Sequence, residues 1–198
     1  MHALLIVDIQ YDFLPGGALA VAGGDAVIPV INRIQGNYDL VVATQDWHPA
    51  GHHSFASAHP GQKPFNTIDL QGLAQVLWPD HCVQDTRGAK LSEQLETRHI
   101  EAIFRKGTDP AIDSYSGFFD NGKRKQTGLM GYLQDRGITT LSVCGLAADY
   151  CVYFTAMDAL QLGFSTHIID NAVRAIDASA YAEKQEIFAR QGGKFITV

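Results

Sequence analysis

Cys151 lies in the run CGLAADYCV, just after a short apolar segment. A cysteine in the first turn of a helix is a candidate nucleophile, because the helix N-terminus favours the thiolate and the thiolate is the reactive form. The small residues before it leave backbone N–H groups free to face an oxyanion. A buried structural cysteine is the competing reading, and it is the one taken for Cys144, inside the apolar segment. Asp8 closes the apolar run Leu4–Val7, and Lys106 follows Ile100–Phe104. A carboxylate beside a thiol can take its proton, and an ammonium beside both keeps the carboxylate ionised and steadies the anionic state. Taken singly, Asp8 also reads as a loop cap and Lys106 as a solvated lysine. Asp46-Trp47-His48 is a D-x-H pair, with His52, His53, His59 and His81 downstream. Carboxylate and imidazole together suit zinc, iron or manganese. The chain has eight histidines, so chance pairs are common. The weight lies in the five that fall between positions 48 and 81. His2, His99 and His167 are scattered and read as structural or exposed. Phe13, Trp78 and Tyr115 fall in the same loop regions and could sandwich a flat ring.

The elements that must carry these residues follow from periodicity. Leu4–Val7, Leu40–Thr44, Ile100–Phe104, Thr140–Cys144, Thr166–Ile169 and Lys194–Val198 read as buried strands, short and apolar with polar exits. Asp25–Ile34 has a helical period, with Pro29 tolerated in its first turn. Thr127–Asp135 is expected to be helical, with Gly137 as its stop. Asp149–Leu162 is expected to be a helix with Asp149 as N-cap and Gly163 as C-cap, and Ala178–Arg190 another. Between Gln45 and Arg98 the chain is polar, with helical pieces expected near Leu70–Leu77 and Ser92–Thr97. Strands alternating with helices predict an α/β fold, a six-stranded, mainly parallel sheet covered on both faces in three layers. Ligands gather beyond the carboxyl ends of such strands. That rule brings Asp8, Asp46, His48, Lys106 and Cys151, from four segments, to one edge.

Composition narrows the partners. A chain of 198 residues suits one domain, and 46% hydrophobic against 18% charged residues argues against disorder. A formal net charge of −6 without a basic run disfavours nucleic acid and anionic membrane. No apolar stretch is long enough to span a bilayer, and the start MHALLIVDIQ lacks the basic segment of a secretory signal. Three unevenly spaced cysteines fit a reducing cytosol, so a cytoplasmic location is expected. Neither a G-x-G-x-x-G nor a Walker-type loop is present, so neither dinucleotide nor nucleoside triphosphate binding is indicated.

Five segments, in order, carry a family resemblance: LLIVDIQYDFLPGGALAV, TQDWHPAGHHSFAS, WPDHCVQDTRGA, FRKGTDPAIDSYSGFFDN and CGLAADYCVYFTAMDAL. Through them the chain resembles the nicotinamidases of the isochorismatase-like cysteine hydrolase superfamily over essentially its whole length. The resemblance implies one isochorismatase-like (Rossmann-like) hydrolase domain over 1–198, with a metal-bearing insertion at about 45–98. It implies Cys151 as nucleophile with Asp8 and Lys106 completing a triad. It implies one divalent metal ion on Asp46, His48 and His81, zinc first and iron or manganese as alternatives. A cis peptide at Leu146–Ala147, an oxyanion hole from the amides of Ala147 and Cys151, and a ring pocket of Phe13, Leu19, Trp78 and Tyr115 also follow from it. The implied reaction is deamidation of nicotinamide to nicotinate and ammonia through a thioester, a step of pyridine nucleotide salvage, with pyrazinamide as a related substrate. Whether His52 or His53 adds a ligand, and whether the chain is a monomer or homodimer, stay open. An N-carbamoyl or other amide hydrolase of the same superfamily would keep the triad but generally lacks the D-x-H…H set. An isochorismatase would not need the cysteine. A non-catalytic metal-binding domain would not need both sets.

Overall fold

Strands covered on both faces have no side for water, so they read as apolar runs; the central strands of the sheet are buried in this way, whereas the expected buried strand at Ile100–Phe104 is an edge strand that alternates half-buried and exposed residues. The computed structural model describes residues 1–198. The chain runs β1 (His2–Val7), α1 (Ile28–Ile34), β2 (Leu40–Asp46), β3 (Thr67–Leu70), β4 (Leu73–Val76), β5 (Ile100–Lys106), α2 (Leu129–Asp135), β6 (Thr140–Leu146), α3 (Tyr153–Gln161), β7 (Ser165–Arg174), α4 (Ala178–Arg190) and β8 (Lys194–Ile196). Six strands form one parallel sheet in the order β5-β2-β1-β6-β7-β8. Side chains alternate across it. Ala3, Leu5 and Val7 of β1 enter one core with Leu129 and Leu133 of α2, Ala156 and Ala159 of α3 and Phe188 of α4. Leu4 and Ile6 enter the other with Ile28, Ile31 and Ile34 of α1 and the loop residues Phe13 and Trp78. This is the expected three-layer α/β architecture. The strand order reverses between β1 and β6, which makes their carboxyl ends the natural crevice of the sheet.

Three local expectations are corrected. Residues 70–77 are not helical but belong to the antiparallel hairpin of β3 and β4. Gln71 and Gly72 both take positive φ, 55° and 83°, and so form a two-residue hairpin turn. The Asp69 carboxylate accepts the Gly72 amide at 3.0 Å. Ser92–Thr97 is likewise not a helix. Its backbone groups are taken by other elements, with Asn32 of α1 bonding Gln94 O and Glu96 N, and Gln35 bonding Glu96 O. Asp149 does not cap a helix either. Residues 148–152 form a single π-turn, and α3 begins only at Tyr153. The Asp149 carboxylate instead accepts the amides of Ile176 and Asp177, both at 2.9 Å. The capping logic does hold for α4, where Asp177 accepts from Ser179 and Ala180.

Candidate active site

Strand pairing sets the first contact of the site. In the β2–β5 register Asp46 stands beside Lys106, so both side chains leave neighbouring strand ends together. The Lys106 Nζ lies 3.1 Å from Asp46 Oδ1 and 2.9 Å from Asp8 Oδ2. It also donates to Ser114 O at 3.0 Å and lies 3.4 Å from Cys151 Sγ. Asp8 immediately follows β1, is fully buried, and accepts the Thr44 hydroxyl at 2.7 Å on its other oxygen. Gly145 leads into the nucleophile loop, and only glycine fits there: φ is +113° and an added Cβ would strike the backbone of Val7. The Leu146–Ala147 peptide is cis.

Electrostatics divide the groups by role. Burial disfavours the charge on Lys106, but Asp46 and Asp8 outweigh it and hold the ammonium well above its usual range. Burial pushes the Asp8 carboxyl up, against the pull of Lys106. Burial also drives the Cys151 thiol well up, with Lys106 opposing and Asp8 adding to the rise. Burial and Asp8 thus favour the thiol over the thiolate at Cys151, and no α-helix begins until Tyr153 to offset them with an N-terminus. A thiol in this setting needs a base to become a nucleophile, and the Asp8 carboxylate shares the Lys106 ammonium with it.

On the other side of Lys106, Asp46, His48 and His81 each offer a ligand atom, all within 4.8 Å of one another. The His48 Nε2 is 3.0 Å and the His81 Nε2 3.5 Å from Asp46 Oδ2. The opposite ring nitrogens face carbonyls, Nδ1 of His48 donating to Gly107 O and Nδ1 of His81 to Pro79 O, both at 2.9 Å. A carbonyl only accepts, so each Nδ1 carries the proton and each Nε2 is free to present a lone pair to the same point. Two imidazole lone pairs and a carboxylate converging in a buried site suit a divalent cation. Burial disfavours ionisation of Asp46, but His48 and Lys106 outweigh it and hold its carboxyl well below the usual range. Gln10 locks Asp46 through both its backbone groups at 2.7 Å. His52 is buried against His48, yet its Nδ1 is bound to Ser54 and it stands outside the ligand group. His53 is exposed, and His59 is half-exposed and bonded to His53 O.

Between the two sets lies a small, tight pocket lined by Phe13, Leu19, Trp78, Tyr115, Ala147 and Cys151, with Asp46 and His81 on the metal-ligand side. All of the expected ring-pocket residues therefore meet the thiol in one place. Asp12 fixes this geometry by accepting the Cys82 amide at 2.7 Å, which ties the Phe13 turn to His81. Three lining residues are absent from the sequence reading: Asp113, Tyr150 and Ile176. Tyr150 stacks edge-on with Trp78 at 4.7 Å and with Tyr115 at 5.3 Å. Its place next to Cys151 was the available signal. Ile176 is held there by Asp149, a link across 27 residues that no local pattern announces.

Comparison with known proteins supplies the context. The isochorismatase domain model matches residues 2–198. A nicotinamidase of Escherichia coli is 51% identical over 180 residues, covering 89% of this chain and 84% of the relative. Among solved structures, a nicotinamidase/pyrazinamidase of Acinetobacter baumannii superposes with a TM-score of 0.97 at 46% identity, over 99% of this chain and 95% of its own. A pyrazinamidase of Pyrococcus horikoshii in complex with zinc superposes with a TM-score of 0.81 at 35% identity, over 100% and 99%.

Proposed function

The chain belongs to the isochorismatase family, and on that premise we propose that its site deamidates nicotinamide to nicotinate and ammonia through a thioester on Cys151. One observation carries the mechanism: a single buried ammonium, Lys106, touches the candidate base, the candidate nucleophile and a candidate metal ligand at once. Asp8 takes the thiol proton as Sγ forms a bond to the carboxamide carbon. The raised pKa that burial gives Asp8 suits it to that task, since a base works best when its pKa approaches the working pH. The oxyanion meets the amides of Ala147 and Cys151. Asp8 then returns the proton to the departing ammonia as the C–N bond breaks. In the second half a water attacks the thioester carbon, Asp8 accepts a proton from it, and Cys151 leaves and is reprotonated. Lys106 stays charged throughout, so Asp8 can gain and lose its proton without leaving a bare buried charge.

Asp46, His48 and His81 hold one divalent ion, zinc by their donor set and by likeness to the zinc-bound relative. When bound, it supplies an electrophilic position for the pyridine nitrogen of the substrate. Phe13, Leu19, Trp78 and Tyr115 clasp the flat ring, which sets the carboxamide beside Sγ. Pyrazinamide, with a ring nitrogen in the same place, is the expected second substrate. The three free cysteines suit a cytoplasmic enzyme, and we take residues 1–198 as one domain with its metal-bearing insertion at about 45–98.

The test compares nicotinamide, benzamide and picolinamide on metal-loaded and metal-stripped enzyme. Benzamide has the shape but not the nitrogen, and picolinamide turns the amide away. Loss of such a polar anchor costs about 10⁴-fold in kcat/KM. Equal rates on nicotinamide and benzamide, or full activity without metal, would refute the assignment.

A further inference from the structure

Asp113 lines the ring pocket beside Asp46 and His81, and it is 3% exposed. Its Oδ1 lies 4.0 Å from the His48 Nε2, the nitrogen that faces the metal position. It does not belong to the group of ligand atoms that lie within 4.8 Å of one another. Its carboxylate is aimed by dedicated donors. The Ser114 amide donates to Oδ1 at 2.7 Å and the Gln75 side chain to Oδ2 at 3.1 Å. Gln75 is itself 2% exposed and fixed by bonds to Val76 O and the Tyr115 hydroxyl, at 2.7 and 3.0 Å. The β3–β4 hairpin, which stands outside the main sheet, thus sends one buried amide to orient one buried carboxylate.

The buried charges explain why that carboxylate is there. With both imidazoles neutral, as metal ligands must be, the site holds three buried carboxylates, Asp8 and Asp46 paired with Lys106 and Asp113 beside His48, against one buried cation, Lys106. The excess is two negative charges in a water-poor site, which a divalent cation cancels. Without Asp113 the loaded site would hold one uncompensated positive charge, and burial of an unpaired charge is costly.

We infer that Asp113, oriented by Gln75, is the outer-sphere counter-charge that retains the divalent ion on Asp46, His48 and His81. It is a positioning residue, and it rests on the metal site of the proposed function. Loss of an outer-shell partner typically weakens metal binding by about 10–100-fold.

The experiment measures zinc affinity by competition with a chromophoric chelator, without substrate, in wild type, Asp113→Asn, Gln75→Ala and Asp120→Asn. Asp120 is a neighbouring buried carboxylate that caps the 120–124 turn and belongs to neither the ligand group nor the ring pocket. Asp113→Asn should bind zinc about 10–100-fold more weakly with its circular dichroism and Tm in the metal-free form unchanged. Gln75→Ala should fall between it and wild type, and it carries the test if Asp113→Asn does not fold. Asp120→Asn should match wild type. Wild-type affinity in Asp113→Asn, or in Gln75→Ala where that variant carries the test, overturns the inference, and so does an equal loss in Asp120→Asn. A wild-type protein that binds no zinc, or hydrolyses no nicotinamide, overturns the proposed function instead, so the two failures are distinguishable.

Discussion

The Lys106 ammonium and the Asp46 carboxylate lie 3.1 Å apart, and this buried ion pair joins the proposed covalent half of the site to the candidate metal-ligand half. Their meeting is a product of strand pairing, because the two residues are register partners at the ends of β2 and β5. Perturbing either half should therefore be felt in the other.

Removing the proposed nucleophile is the direct test of the proposed covalent half. Cys151→Ala should lower turnover by about 10⁴-fold or more, while secondary structure and zinc content stay at wild-type levels. Asp8→Asn keeps the shape of the base but not its basicity, and should cost about 10²–10⁴-fold in kcat. Rapid-quench ammonia release with mass spectrometry of the enzyme checks both. Wild-type turnover in either variant removes that residue from the chemistry.

Lys106→Met leaves Asp8 and Asp46 buried without their cation. Breaking a buried pair in this way destabilises a protein by about 3–5 kcal/mol. Adding Asp8→Asn should return part of that loss, since one of the stranded charges is then gone. Urea unfolding of the two single variants and the double variant closes the cycle. A stability of Lys106→Met equal to wild type would show that the pair matters for chemistry alone.

The metal-free and metal-loaded proteins should differ in how their stability responds to pH. Burial works against the charge on His48, but Asp46 outweighs it, so the ring's pKa lies above 6.5 without metal. A raised folded-state value gives stability that is complete below the unfolded value of 6.5 and lost as pH rises through the folded one. A metal ion takes the neutral ring and must expel that proton. Thermal melts of both forms between about pH 6 and about pH 9 should show the zinc-induced gain in Tm widening as pH rises. A gap that narrows instead would exclude His48 as a ligand.

Gly107 offers a steric test of the metal half. Its φ is +65°, and an added Cβ would lie 2.7 Å from the His48 Nδ1 and 2.8 Å from Asp46 Oδ1. Gly107→Ala should therefore displace the ligands and lose both zinc and activity. Gly131, in α2 with open space around it, is the control. There the same change should stabilise the fold by about 0.5–1 kcal/mol, read as a rise in Tm, with kcat unmoved.

Much of this was legible because chemistry-bearing residues sat directly after apolar strands. Asp8, Asp46, Lys106 and the Cys151 loop need only the rule that a parallel sheet gathers ligands at its carboxyl edge. The failures share one cause, interactions that skip along the chain. Leu70–Leu77 has a helix-like spacing of leucines, but the positive φ of Gln71 and Gly72 folds it into a hairpin. Ser92–Thr97 lost its helix to the side chains of Asn32 and Gln35, more than 50 residues away. Asp113 lies in a stretch with no period, and its partner Gln75 is 38 residues upstream. Asp149 looked like a cap because aspartate before an apolar helix usually is one, yet its carboxylate serves the loop that presents Ile176.

Every strand of the main sheet runs in the same direction, so the molecule has one edge where chemistry sits and an opposite edge where chains merely turn. The turns at 36–39, 136–139, 162–164 and 191–193 all lead into strand starts, a full strand length from Cys151. That edge is where affinity tags, fluorescent fusions, tethering points or a circular permutation can be grafted. Such modules should tune solubility and immobilisation while catalytic constants stay those of the parent enzyme.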